Sequence, residues 1–192
     1  MNRSNTFHAA SPISTTDGRQ PAEDGWRFAH ERSISVRCAE HPDGHIRAVG
    51  LLVDDKGIPV MTYSGKTVGA GEAMHRLRVE LVVSVDLIIE SVDVEMVEIP
   101  GEACRHIREA YQALRGALIS KGFSRIVRER LGGVSGCAHL NNLILQMAPP
   151  IMQAHYARFL KPQHPAATRA KFIATLDGTC HIFDSRKAGS GS

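Results

Sequence analysis

Two hydrophobic periods divide the chain. Over residues 33–99 apolar and polar side chains alternate, and over 102–160 apolar ones recur every three or four positions. SISVRCA sets Ile34, Val36 and Cys38 against Ser33, Ser35 and Arg37. The turn HPDG follows, and Asp-Gly accepts the positive φ of a tight hairpin, so HIRAVGLLVDD is the predicted second strand. A loop punctuated by Gly, Pro and Ser, DDKGIPVMTYSGKTVGAGEA, leads into two β-branched runs, HRLRVELVVSVD and LIIESVDVEMVEI. In the first run His75, Leu77, Val79, Leu81 and Val83 share one face, and Arg76, Arg78 and Glu80 share the other. The prediction is an antiparallel meander with one buried face.

The second half reads as helices. Cys104, Ile107, Tyr111, Leu114 and Leu118 form one stripe of a predicted helix over 102–120. SRIVRERL is a short predicted helix, with Ser124 as N-cap and Gly132-Gly133 as a left-handed stop. HLNNLILQM is another, which Pro149-Pro150 breaks or restarts and IMQAHYARFL continues. KFIATLDGTCHIFD reads as a helix end followed by a turn or short strand, and no internal repeat is evident. Strands followed by helices predict an α+β fold, an antiparallel β-meander packed on one face by C-terminal helices. The polar residues 1–24 read as a disordered tail, 25–187 as a single domain and 188–192 as a flexible end.

Composition narrows the partners. At 192 residues and 43% hydrophobic, the chain is long enough to bury one sizeable core. The net charge of +3 is spread in mixed sign, and Glu129 interrupts the one arginine-rich run, RIVRERL. With aromatics at 5%, neither a phosphate-tracking patch nor a base-stacking surface is expected, so nucleic acid is not a predicted partner. There is no run of 18 apolar residues to span a membrane and no apolar segment of a secretory leader near the start. The expected compartment is the cytoplasm. There the widely spaced Cys38, Cys104, Cys137 and Cys180 read as thiols or ligands before disulfides.

The chemistry concentrates in GGVSGCAHLNNLI. Its small residues let backbone approach closely. It sets Cys137 at a predicted helix start, where backbone N–H groups and the helix dipole favour a thiolate, and puts His139 two residues on. Five residues offer soft metal donors: His75, Cys104, Cys137, His139 and Cys180, the last with His181 beside it. Such a mixed set suits a divalent metal, zinc or iron, with about four ligands for tetrahedral closure. Cys38 alternates with strand residues, has no ligand motif nearby and is left out. Taken singly, each cysteine also fits a buried inert thiol, and His75 fits a core histidine bonded to backbone. No CxxC, HExxH, Gly-x-Ser-x-Gly or Gly-x-x-x-x-Gly-Lys motif occurs, and GAGEAM lacks the strand–loop–helix setting of a phosphate cradle.

In order, HERSISVR, DGHIRAVGLLVDDK, GEAMHRLRVEL, RIVRERLGGVSGCAHL and LDGTCHIFD resemble a bacterial family catalogued as domain of unknown function 2889, over about residues 28–184. The resemblance matches a histidine before a long strand, a cysteine after the meander, a Gly-Cys-x-His-Leu segment and a late Cys-His pair. Here those are His75, Cys104, Cys137 with His139, and Cys180 with His181. Where the family has a proline and an aromatic before the cysteine matching Cys104, this chain reads EIPGEAC. The family implies a site and no reaction. Three functions follow from the residues. The first is a small metal-dependent enzyme acting on a small-molecule substrate. The second is a carrier of metal or iron–sulfur groups, by loose similarity to the iron–sulfur scaffold fold. The third is a metal-free thiol enzyme with Cys137 as nucleophile and His139 or His75 as base. The sequence leaves a homo-oligomer open.

Overall fold

A computed structural model describes residues 25–120, 122–179 and 181–184. The expected tails at 1–24 and 188–192 lie outside the described residues, and so does Cys180. Four long strands make the meander: β1 (His30–Glu40), β2 (Ile46–Lys56), β5 (Ala73–Val83) and β6 (Ile89–Glu98), all antiparallel in the order β1-β2-β5-β6. The loop between β2 and β5 holds a small hairpin of its own, β3 (Val60–Met61) and β4 (Thr67–Val68). Then come a 3₁₀ segment (Glu102–Leu114), α1 (Phe123–Leu131), α2 (Ala138–Ala157) and α3 (Ala166–Ala174).

Alternation along the strands decides which face is buried. Ile46, Ala48 and Leu52 on β2 and Leu77, Val79, Leu81 and Val83 on β5 lie in the core, while Arg76 is exposed and Arg78 and Glu80 are half-buried. Against this face α2 presents Leu140, Leu143, Ile144, Met147 and Ile151, at helical spacing and all buried. Gly50 makes the close approach possible. A Cβ there would lie 2.8 Å from Met147 Sδ and 3.0 Å from Leu143 Cδ1. The helix runs unbroken through Pro149 and Pro150, where the sequence suggests a break or restart.

The helix expected over 102–120 is shorter and tighter. It is a 3₁₀ segment that ends at Leu114, and beyond it Leu118 is exposed and bridges to Ile88 as a strand would. The cause is the free edge of β6. Arg105, Arg108, Gln112 and Arg115 donate side-chain hydrogen bonds to the carbonyls of Met96, Val94, Val92 and Glu90 in turn. Ten residues of 3₁₀ helix rise about 20 Å, as do six residues of strand, whereas ten of α-helix rise about 15 Å. Only the stretched helix keeps step with the carbonyls. At α1 the N-cap is Gly122, and Ser124 lies inside the helix. Gly133 takes the left-handed conformation expected of the stop, while Gly132 is extended. After α3 the chain forms turns and a 3₁₀ turn at His181–Phe183.

Candidate functional site

The apolar face of the sheet gives way at one end to a polar row. The strand register sets Arg32 on β1 opposite Asp54 on β2, and Asp54 opposite His75 on β5. Two residues inward along each strand, the same face carries Ile34, Leu52 and Leu77. Asp54 is only 1% exposed. Its carboxylate accepts from Arg32 through both oxygens, Nε to Oδ1 at 2.6 Å and Nη2 to Oδ2 at 2.8 Å. His75 Nδ1 lies 3.0 Å from Oδ2, and His30 Nε2 lies 3.5 Å from Oδ1.

The start of α2 covers this row. Cys137 is its N-cap residue, and His139 Nε2 comes to 3.6 Å from Asp54 Oδ2. The rings of His139 and His75 stack with centroids 3.8 Å apart. The other nitrogen of His139, Nδ1, lies 3.7 Å from Cys137 Sγ. Tyr111, fully buried, sets this helix start: its phenol oxygen accepts the Cys137 N–H at 2.9 Å and donates to Asn141 Oδ1 at 2.8 Å. Asn141 in turn donates to the Leu131 carbonyl at 2.7 Å, which ties α2 to the end of α1. Gly136 allows that junction to close, since a Cβ there would meet the Leu131 oxygen at 2.2 Å. Burial pushes the Tyr111 phenol up, so it stays a donor.

Electrostatics polarise the cluster. Burial works to raise the Asp54 carboxyl. The hydrogen bonds and charge of Arg32, with His75 and His139 adding to them, outweigh burial and hold it below the usual carboxylate range. Burial and the neighbouring His139 push His75 down to about 4, against the pull of Asp54. Burial also lowers His139, with Arg32, Lys56 and His30 acting in the same sense and Asp54 opposing them. Both stacked rings are therefore neutral at neutral pH, the form in which imidazole binds metals and accepts protons.

The donor atoms of Asp54, His75 and His139 all lie within 4.8 Å of one another. Two ligands of one tetrahedral ion, with bonds of about 2.0–2.1 Å, stand about 3.4 Å apart. The Asp54–His75 and Asp54–His139 separations of 3.0 and 3.6 Å bracket that edge. Of the five sequence candidates, His75, Cys137 and His139 meet here. Cys104 sits in the 3₁₀ segment with its sulfur 3.4 Å from the Tyr63 hydroxyl. Cys38 lies six residues from Arg32 along β1, about 20 Å away. Cys38, Cys104 and Cys137 are free thiols.

Asp54, Arg32 and His30 are absent from the sequence candidates. Asp54 has a signal: it shares the parity of Ile46, Ala48 and Leu52, so it is an acid on an apolar face. Arg32 and His30 have none, because only the strand register brings them to Asp54.

Among the described residues no helix is long and apolar enough to cross a membrane. No curated protein and no solved structure matches the chain. One family does, over a stretch that takes in every residue of the cluster from His30 to His139 and most of α2. The chain belongs to the family described as Protein of unknown function (DUF2889), matched over residues 30–153.

Proposed function

We propose that this protein is a small cytoplasmic metal-dependent enzyme, with zinc or iron held by Asp54, His75 and His139. The observation that supports the reading is the convergence of one buried carboxylate and two neutral imidazoles from β2, β5 and α2. Three protein ligands leave a coordination position open, as catalytic sites do and closed cysteine-rich structural sites do not. A bound ion would supply a Lewis acid for a substrate carbonyl or for water. The chain's own groups set the geometry. Arg32 fixes the Asp54 carboxylate, and Cys137 sits as the outer partner of His139, orienting its ring through Nδ1.

Metal analysis of the purified protein tests this. One zinc or iron per chain is expected, lost in His75→Ala and His139→Ala and kept in Cys104→Ala. A stoichiometric metal that survives both histidine substitutions would refute the assignment. A carrier without catalysis would hold the same ion and show no turnover on any carbonyl or ester panel.

A second reading has its own observation. His139 lies between Cys137 and Asp54, with Nδ1 3.7 Å from the thiol sulfur and Nε2 3.6 Å from the carboxylate, the order of thiol, base and orienting acid. That reading requires a metal-free protein whose Cys137 reacts rapidly with iodoacetamide and slows on His139→Ala.

A further inference from the structure

The sheet face that carries the cluster is short of negative charge. Arg32 and Lys56 each bring one positive charge to it, and Asp54 is the one carboxylate in the row. Glu31 and Asp55 occupy the alternate strand positions, which address the opposite face. Lys56 has no acidic partner among the described residues. Its Nζ instead lies 3.3 Å from His30 Nδ1, and His30 in turn lies 3.5 Å from Asp54. An ammonium resting on an imidazole is a weakly paired cation, since an exposed lysine ordinarily finds a carboxylate or water. One imidazole therefore stands between the Lys56 ammonium and the Asp54 carboxylate.

The chain therefore contributes one surplus positive charge beside His139, and a divalent ion on Asp54, His75 and His139 would add to it. We propose that the molecule the centre receives is a small anion bearing a carboxylate, drawn in by Lys56 at the end of β2. Arg32 is not the recognition group, because it has already committed Nε and Nη2 to Asp54. A lysine acts as a movable point charge, which attracts an anion without demanding a fixed two-point geometry. This inference rests on the metal reading, and its test separates the two.

The experiment uses the full chain loaded with cobalt(II), whose visible absorption reports its ligands. Acetate is titrated against its neutral analogue acetamide and against sulfate. Acetate should change the spectrum at concentrations at least tenfold below acetamide. Lys56→Gln should weaken acetate by about three- to tenfold, as expected for one partly solvated charge pair, with cobalt held as tightly or more tightly. Acetamide as effective as acetate, or Lys56→Gln without effect, would overturn the anion site and leave the metal centre standing. Sulfate bound more tightly than acetate would overturn the carboxylate. A protein that gives no cobalt spectrum would overturn the metal reading, and this inference with it.

Discussion

At the scale of single residues, Asp54 organises the site. A carboxylate almost wholly removed from water is stable only because Arg32 and His75 replace the lost hydration. Asp54→Asn keeps the shape and removes the charge, leaving Arg32 without its partner. Breaking a wholly buried pair costs about 3–5 kcal/mol. Arg32 keeps about a third of its side-chain exposure, so a loss of about 1–3 kcal/mol is expected by urea unfolding with chelator present. His75 makes a pH prediction. Between about 4 and 6.5 the unfolded chain binds a proton at His75 that the folded one refuses, so metal-free stability should rise with pH across that window. The slope should reach roughly 1 kcal/mol per pH unit, and His75→Asn should flatten it. A flat or falling profile in the unsubstituted protein would contradict the placement of His75. The sequence makes part of this legible. Alternation puts His75 on the helix-facing side, and GCAHL puts Cys137 and His139 at a helix start. Asp54 escapes a search for thiols and imidazoles, because a buried carboxylate announces itself by parity and not by a motif.

At the scale of elements, two fits position those residues. The first is the clamp on β6. Arg105, Arg108 and Gln112 of the 3₁₀ segment, with Arg115 just after it, satisfy the carbonyls along an edge that would otherwise be open to another strand. Helical spacing of Tyr111 and Leu114 is visible in the sequence, but a single step of three residues differs by only about 60° between 3₁₀ and α windings and does not separate them. What separates them is the spacing of carbonyls on a neighbouring strand, which exists only in the folded sheet. Arg108→Ala should leave the Val94 oxygen unpaired and cost about 0.5–1.5 kcal/mol in chemical unfolding. Joined with Gln112→Ala, it should also raise the tendency to aggregate, since two adjacent edge carbonyls are then open. The second fit is Gly50 beneath α2. Gly50→Val would drive side-chain carbon into Met147 and Leu143, costing about 1–3 kcal/mol and lifting His139 from Asp54. A Gly50→Val protein with unchanged melting and unchanged metal affinity would show that the contact does not position the site.

At the scale of the whole molecule, α2 is the beam that joins the two ends of the sheet. Its 20 residues span about 30 Å, close to the length of the 11-residue strands beneath it. His139 stands over Asp54 at one end. Near the other, Arg158 pairs with Glu40 at 2.7 Å and donates to the Gly44 carbonyl, beside the β1–β2 turn. A metal on Asp54, His75 and His139 would therefore fasten the beam to β2 and β5. Saturating zinc at about a hundred times its dissociation constant adds about 2.7 kcal/mol, a rise in melting temperature of about 5–10 °C for a chain of this size. The meander and the helical half are legible in the sequence because each has one period over many residues. The cluster of Asp54, His75 and His139 is legible only in part, since its two histidines stand out as donors but the fold alone joins them to Asp54. X-ray absorption at the metal edge of the zinc-loaded protein tests the centre most directly. Nitrogen and oxygen neighbours alone at about 2.0–2.1 Å are predicted, with Cys137 held outside the first sphere by His139. Sulfur neighbours at about 2.3 Å in place of the imidazoles would contradict the assignment and move the centre to the cysteines.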